Sequence, residues 1–499
     1  MTFGSWRLGL GLQRRDALIV AVMFAGSRLL YAWLGVSFDA TPFPSYMQFI
    51  DAPLLADRLL ESLWYYHANP PMLNLVAGIG YKLFGDRIGW AFALLFHVLG
   101  LAVALSVYWL TWKLSASRAA AHVIAGLLVF SPAFVLYENW MMYTFPSMAL
   151  LTFSAVALYQ YAQTLQTRWC VTFFALLALL LLTRSLFHLA WMAMVTGLLA
   201  VTMRAQRRQI LLAALVPLLI VAGWYGKNYY LFGMFSSSSW MGLGLSNIST
   251  LVATREELQP LVDDKRLTQY ALVSRYKQVD QLFLPQPPPT GIPVLDQVVK
   301  STGQLNFNNQ RIIEVNRYYT HDAVVVARTY PYSYVLGLLI ANRLFFSPPH
   351  MNLYFTQANR EAVRPMERIF NPLLYGTKAS SGWLCQPHFG FDHNGVLEVN
   401  TSVPLIVLWW VILGFGYCEA RRALLAGSPE LLPRAVLIGF MISTFLYVYG
   451  VGTAFELAEN YRYRYLVEPL FLALAATAAT ALIRLVRRRM SARGMPSRS

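Results

Sequence analysis

The sequence predicts an all-helical polytopic membrane protein with about ten transmembrane helices, on three observations. Hydrophobic residues fill 57% of its 499 positions and charged residues 13%, against about 25% charged in a soluble chain. Apolar runs of bilayer-spanning length recur along the chain, for a mean hydropathy of +0.46. Tyrosine and tryptophan, 28 and 14 residues, are plentiful enough to line two membrane interfaces.

A net charge of +16 raises the question of nucleic acid. The basic residues, however, stand between apolar runs: Arg14-Arg15, Arg204 with Arg207-Arg208, Arg421-Arg422 and Arg487 to Arg489. That is the positive-inside pattern of cytoplasmic loops, so no nucleic-acid partner is expected. Cys170, Cys385 and Cys418 have neither disulfide-framework nor metal-site spacing. The N-terminal apolar run has no small-residue cleavage site and reads as a retained first span.

In chain order, span one covers about Ala17 to Val36, and its basic flank keeps the N-terminus in the cytoplasm. A first outer loop, 37–87, follows. Within it Leu55, Leu59, Leu63 and Tyr66 share one helical face, and Asp57, Arg58, Glu61 and Ser62 the other. An amphipathic helix from Leu54 to Tyr66, lying along the membrane surface, is expected. A short apolar helix from about Met72 to Phe84 should end at Gly85. Six further spans then alternate across the bilayer to about Tyr225, with Arg118, Arg168 and the run Arg204 to Arg208 marking the cytoplasmic side.

Residues 1–235 therefore form an N-terminal membrane module. Residues 236–402 form a long outer region holding SSSS, the proline-rich LPQPPPTGIP and an apolar run, 332–346, expected to be interfacial or re-entrant. Residues 403–499 add three spans and a basic tail, leaving both termini cytoplasmic. Glycan-acceptor triplets at Asn247 and Asn400 fall in the outer region and decide nothing.

By this topology, ionisable and amide side chains gather at the outer ends of the spans. They are Asp39, Asp51, His67 and Asn69 in the first loop, Glu138 in the second, Lys227-Asn228, and Glu459 with Arg462 and Arg464. Such groups are costly beside lipid unless they are paired or serve a site. The acids suit a general base or a metal ligand, and Lys227, Arg462 and Arg464 suit an anion such as phosphate. Each also has a structural reading: Asp51 as a helix cap, His67 as a turn residue, Arg462 and Arg464 as interface anchors.

These motifs together resemble the GT-C superfamily of membrane glycosyltransferases, in the branch of the protein O-mannosyltransferases and the lipid A aminoarabinose transferase. The resemblance rests on Asp51, HANPPMLNL and KLFG in the first loop, and on YENWMMYTFP with Glu138 in the second. WYGKNYYLFGMFSSSS and ENYRYRYLVEP complete it. It implies a GT-C-like fold and inverting sugar transfer from a polyprenyl-phosphate donor to a glycolipid, glycan or protein acceptor on the extracytoplasmic face of an inner or plasma membrane. Carried over residue by residue, it makes Asp51 the base, with Asp39 as the alternative acid, and Glu138 its catalytic companion. His67, Asn69, Tyr143, Lys227, Asn228, Glu459, Arg462 and Arg464 would then bind substrate. No cofactor is required; a divalent metal is conceivable but no ligand spacing supports one. Ten spans alone would also suit a transporter or lipid flippase, and the outer region a non-catalytic assembly subunit.

Overall fold

The computed structural model describes residues 12–273, 287–376, 383–385, 397–399 and 402–493. Asn400 and part of the proline-rich run lie outside the described residues. The regular elements of the described residues are helices apart from two three-residue strands, β1 (Trp383–Cys385) and β2 (Leu397–Val399), paired antiparallel.

Helix α1 (Arg14–Trp33) is followed in the first loop by α2 (Pro42–Ser45), α3 (Ala52–Asp57) and α4 (Leu59–Trp64). The expected single helix from Leu54 to Tyr66 is thus broken. Arg58, at φ −132° and ψ 40°, leaves the helical region and separates two short pieces. The apolar face was legible all the same: Leu55, Leu59, Leu63 and Tyr66 are all buried. Ser62 is buried with them, not solvated. Helix α5 (Met72–Phe84) ends as expected at Gly85, whose φ of +52° favours glycine.

Helix α6 (Ile88–Ser115) is about 42 Å long at 1.5 Å per residue. Helices α7 (Arg118–Val129) and α8 (Pro132–Glu138) meet at a 57° bend, because Pro132 starts a new helix. Helix α9 (Thr144–Thr164) is the hub, packed against α6, α10 (Thr167–Leu181) and two later helices. It tolerates Ser147, Thr152 and Ser154 because each hydroxyl donates to the carbonyl four residues back, at 2.7–2.9 Å. Helices α11 (Leu189–Thr202) and α12 (Arg207–Phe232) complete the first half.

The long region between the halves contributes α13 (Met241–Ile248), α14 (Arg255–Asp263), α15 (Pro293–Asp296), α16 (Arg311–Thr329), α17 (Pro331–Phe345) and α18 (Gln357–Phe370). Helices α16 and α17 meet at 106°, and α17 packs on the last helices, α20 (Leu432–Ala454) and α21 (Asn460–Arg493). Helix α19 (Val403–Leu425) precedes that pair.

Large apolar side chains lie exposed along α1, α12 and α19, among them Leu18, Leu29, Val216, Leu219, Val407 and Val411. In water that surface would be costly; in a bilayer it is the solvent-facing surface. This is an integral membrane protein. By length and composition, six stretches among the described residues can cross a membrane, or eight if each bent helix pair is one span. The expectation of ten is not met on this measure. Helices α10 and α11, with 15 and 14 residues, fall short of the roughly 20 that a span needs.

Candidate active site

A cavity of about 790 Å³ opens among the first loop, the α10–α11 turn, α13 and the α20–α21 junction. Its volume lies within the usual range for a small-molecule site. Its lining includes the apolar Leu186, Met241, Val451 and Phe455 and the polar Asn69, Tyr143, Arg184 and Glu459. Beside it lies a compartment of about 130 Å³, lined by Tyr46, Trp140, Phe307, Gln304 and Arg462 among others. Met47, Gln48, Tyr354 and Glu459 line both spaces and form the wall between them.

Two arginines meet near that wall. Arg462, in the first turn of α21, donates from Nε to Thr144 Oγ1 at 2.6 Å and from Nη1 to Glu459 at 2.6 Å. Its Nη2 is buried without a hydrogen-bond partner. The guanidinium lies 4.9 Å from the ring centres of both Trp140 and Tyr143. Arg184 reaches the same Thr144 hydroxyl from the α10–α11 turn at 3.3 Å, and it faces Tyr143 and Tyr463. Burial, then the neighbouring Arg462 charge, lowers the Arg184 pKa. Two buried guanidiniums, one with an unused donor and with Glu459 as the nearest compensating acid, make a site for an anion.

Of the residues expected to bind substrate, Asn69, Tyr143, Glu459 and Arg462 are brought together here. Asn69 lines the larger cavity, and its side-chain amide nitrogen has no partner. The others are committed elsewhere. Arg464 lies two residues beyond Arg462, about 200° around the helix. It therefore points away from the cavity and donates to the Ser347 carbonyl at 3.0 Å. Lys227 donates to the Trp64 and Tyr66 carbonyls, both at 2.9 Å, holding the end of α4 rather than a phosphate. Asn228 donates to the Ser236 carbonyl at 2.7 Å and shapes the serine run.

His67 is fully buried, with both ring nitrogens in use. Nε2 lies 3.0 Å from the Asn308 carbonyl, which can only accept, so Nε2–H donates. Nδ1 then accepts from Ser239 Oγ at 2.9 Å. Burial lowers the His67 pKa to about 3, so the ring is neutral. The ring is a joint between loops and does not line the cavity.

Glu138, expected to be catalytic, does not line it either. It is buried among α1, α6 and α8 and paired with Arg28 at 2.5 Å. A Cβ on Gly100 would collide with its Oε1, so the glycine makes room for the carboxylate. This is an interhelical ion pair.

The two first-loop acids differ. Every carboxylate oxygen of Asp51 is engaged: Oδ1 accepts from Ser301 Oγ at 2.6 Å, and Oδ2 from Ser301 N and Gln297 Nε2, both at 2.8 Å. Asp51 stands at the N-terminus of α3 but makes no capping hydrogen bond. Asp39 is held by its backbone, which pairs with the chain at Asn139 and Met141 (2.8 and 2.9 Å). Its Oδ1 accepts from Thr41, through N at 3.0 Å and Oγ1 at 2.6 Å. Its Oδ2 is buried without a partner. Asp39 lines neither space itself; it pairs strand-like with Trp140, which lines the smaller compartment.

Sequence reasoning missed Arg184. An arginine between two apolar helices at the same membrane boundary carries the signal used for the other candidates. Among the described residues, no group of three or more His, Cys, Asp or Glu side chains could hold a metal ion.

No protein-family model matches this chain, and no curated protein matches it. Two solved structures do, both of ArnT from Cupriavidus metallidurans. The form bound to undecaprenyl phosphate aligns at 16% identity with a TM-score of 0.35, over 90% of this chain and 78% of that one. The apo form aligns at 14% identity and 0.33, over 90% and 77%.

Proposed function

We propose that this protein is an inverting glycosyltransferase that moves a sugar from a polyprenyl-phosphate donor to an acceptor on the extracytoplasmic face. One observation carries the reading. Two buried arginines converge on Thr144 where a large, mostly apolar cavity meets a small aromatic compartment. A phosphate at that junction would let an isoprenoid tail leave along the apolar lining toward lipid, with its sugar facing the other way. The order of sequence motifs along the chain, resembling the GT-C pattern, supports the same reading.

In this mechanism Asp39, rather than Asp51, is the base, because it has a free carboxylate oxygen. It takes the proton of the acceptor hydroxyl, whose oxygen attacks the anomeric carbon as the bond from that carbon to the phosphate oxygen breaks. The configuration inverts. The negative charge that accumulates on the departing lipid phosphate is met by Arg184 and by the unused Nη2 of Arg462. Glu459, which is paired with Arg462, then shares that guanidinium with the phosphate. The acceptor is a glycolipid, a glycan or a protein.

The test is binding of undecaprenyl phosphate to the purified protein in nanodiscs, read by native mass spectrometry. Binding should weaken about 10- to 100-fold in Arg184→Gln, the worth of a hydrogen bond to a charged group. Wild-type protein that binds no lipid phosphate would overturn the reading. Lipid flipping without sugar transfer would favour the transporter alternative.

A further inference from the structure

Residues 297–309 cross the chain to dock on the first loop. Beyond the three bonds to Asp51, Lys300 Nζ donates to the Tyr46 carbonyl at 2.7 Å and Thr302 Oγ1 to the Pro44 carbonyl at 3.1 Å. Asn308 Oδ1 accepts from the backbone N–H groups of His67 and Ala68, at 2.7 and 3.1 Å. The segment folds back on itself through the bridge between Val299 and Leu305, with Lys300 N donating to Gln304 O at 2.7 Å. Its turn carries Gly303 at φ +81°. The effect is to present Gln304, Leu305 and Phe307 to the small compartment, which Tyr46, Trp140 and Arg462 also line.

That compartment has the chemistry of a carbohydrate site. Aromatic faces suit the C–H face of a pyranose ring, and the amides of Gln48 and Gln304 suit its hydroxyls. At about 130 Å³ it admits one ring rather than a chain. Gln48 Oε1 is buried with no partner, an acceptor waiting for a donor. Arg462 lines this compartment and Arg184 the larger one, so a ring here would lie next to the anion site.

We infer that the small compartment receives the single sugar ring of the donor, and that segment 297–307, anchored by Asp51, is the wall that selects which sugar enters. This rests on the glycosyltransferase reading above. It makes Asp51 a positioning residue and Gln304 a specificity-determining one. Asp51→Ala removes all three acceptor contacts to Gln297 and Ser301 and so detaches the wall. Gln304 is exposed at the mouth of the compartment, and its replacement leaves the fold intact.

The experiment compares affinity for undecaprenyl phosphate alone with affinity for undecaprenyl-phosphate-linked mannose, glucose, galactose and N-acetylglucosamine. It uses the full chain in nanodiscs. The wild-type protein should bind at least one sugar form about 10-fold more tightly than the bare lipid phosphate, the worth of one or two good hydrogen bonds. Gln304→Ala and Asp51→Ala should each erase that gain and leave affinity for bare undecaprenyl phosphate unchanged. A purely structural role for Asp51 would move both affinities together, and that result would overturn the inference. So would a gain that survives in both variants, or a wild-type protein that binds none of the four sugar forms better than lipid phosphate. If lipid phosphate itself fails to bind, the parent reading falls as well; if it binds and the gain is absent, only the sugar compartment does.

Discussion

Two of the first loop's aspartates, Asp39 and Asp51, stand twelve residues apart and are used in opposite ways. Asp39 lies in the half fastened by backbone pairing to the helix bundle, and one of its carboxylate oxygens is buried and unpaired. Asp51 lies in the half that the long middle region grips, and its oxygens are all occupied. Both are buried and both follow the first membrane helix. A polar group that meets another loop is spent on assembly; one left unsatisfied is free for chemistry. A buried unpaired acceptor costs about 1–3 kcal/mol, and a site with a function to serve is where such a cost persists.

The largest expected effect contrasts the two directly. In Asp39→Asn the amide oxygen can still accept both bonds from Thr41, and the nitrogen replaces the unpaired oxygen. The fold should therefore survive, while kcat for sugar transfer falls by about 10²- to 10⁴-fold, the usual contribution of a general base. Asp51→Asn, by comparison, should retain most of kcat. Single-turnover transfer assays on the two variants decide the matter: collapse of kcat in Asp51→Asn with normal donor affinity would reverse the assignment.

A second contrast sets Glu138 against the two first-loop acids. Removing it with Glu138→Ala leaves Arg28 buried and uncompensated, which should cost about 3–5 kcal/mol of stability. Thermal unfolding in detergent should register that loss, with normal turnover in the protein that remains folded. A catalytic Glu138 would give the reverse pattern.

The smallest effect concerns His67. Its folded pKa is lowered to about 3, whereas the unfolded chain titrates near 6.5. Between those values the unfolded state holds more protons, so stability is full above about pH 6.5 and declines as pH falls toward 3. Melting temperature against pH should slope through that window, and His67→Gln should flatten it. An unchanged slope would mean that the joint with Ser239 and Asn308 contributes little.

Much of the helical scaffold was legible in the sequence because apolar length and helical period report burial directly. Leu55, Leu59, Leu63 and Tyr66 bury the face expected of them, and Gly85 ends its helix. The break at Arg58 was not legible, since it answers to packing against α5 rather than to a proline or glycine. Of the residues that line the two cavities, Arg462, Glu459 and Asn69 stood out by their place at the outer ends of the spans, and Tyr143 by the resemblance. The same rule also collected Lys227, Arg464 and His67, because nothing local distinguishes a cation aimed at a cavity from one aimed at a carbonyl. Asp51 illustrates the limit. Its partners Gln297 and Ser301 are about 250 residues away, and no spacing pattern points to them.

That separation also bears on synthesis. The His67–Asn308 joint links residues 241 positions apart, and ribosomes add about 5–20 residues per second. The first loop therefore emerges roughly 10–50 s before the segment that completes it. Until then Asp51 and His67 stay hydrated beside an already inserted helix, and the ring of His67 can take up a proton that it must later surrender. Completion of the smaller compartment comes later still, because Tyr354, Glu459 and Arg462 also line it and the last of these lies in the final membrane helix.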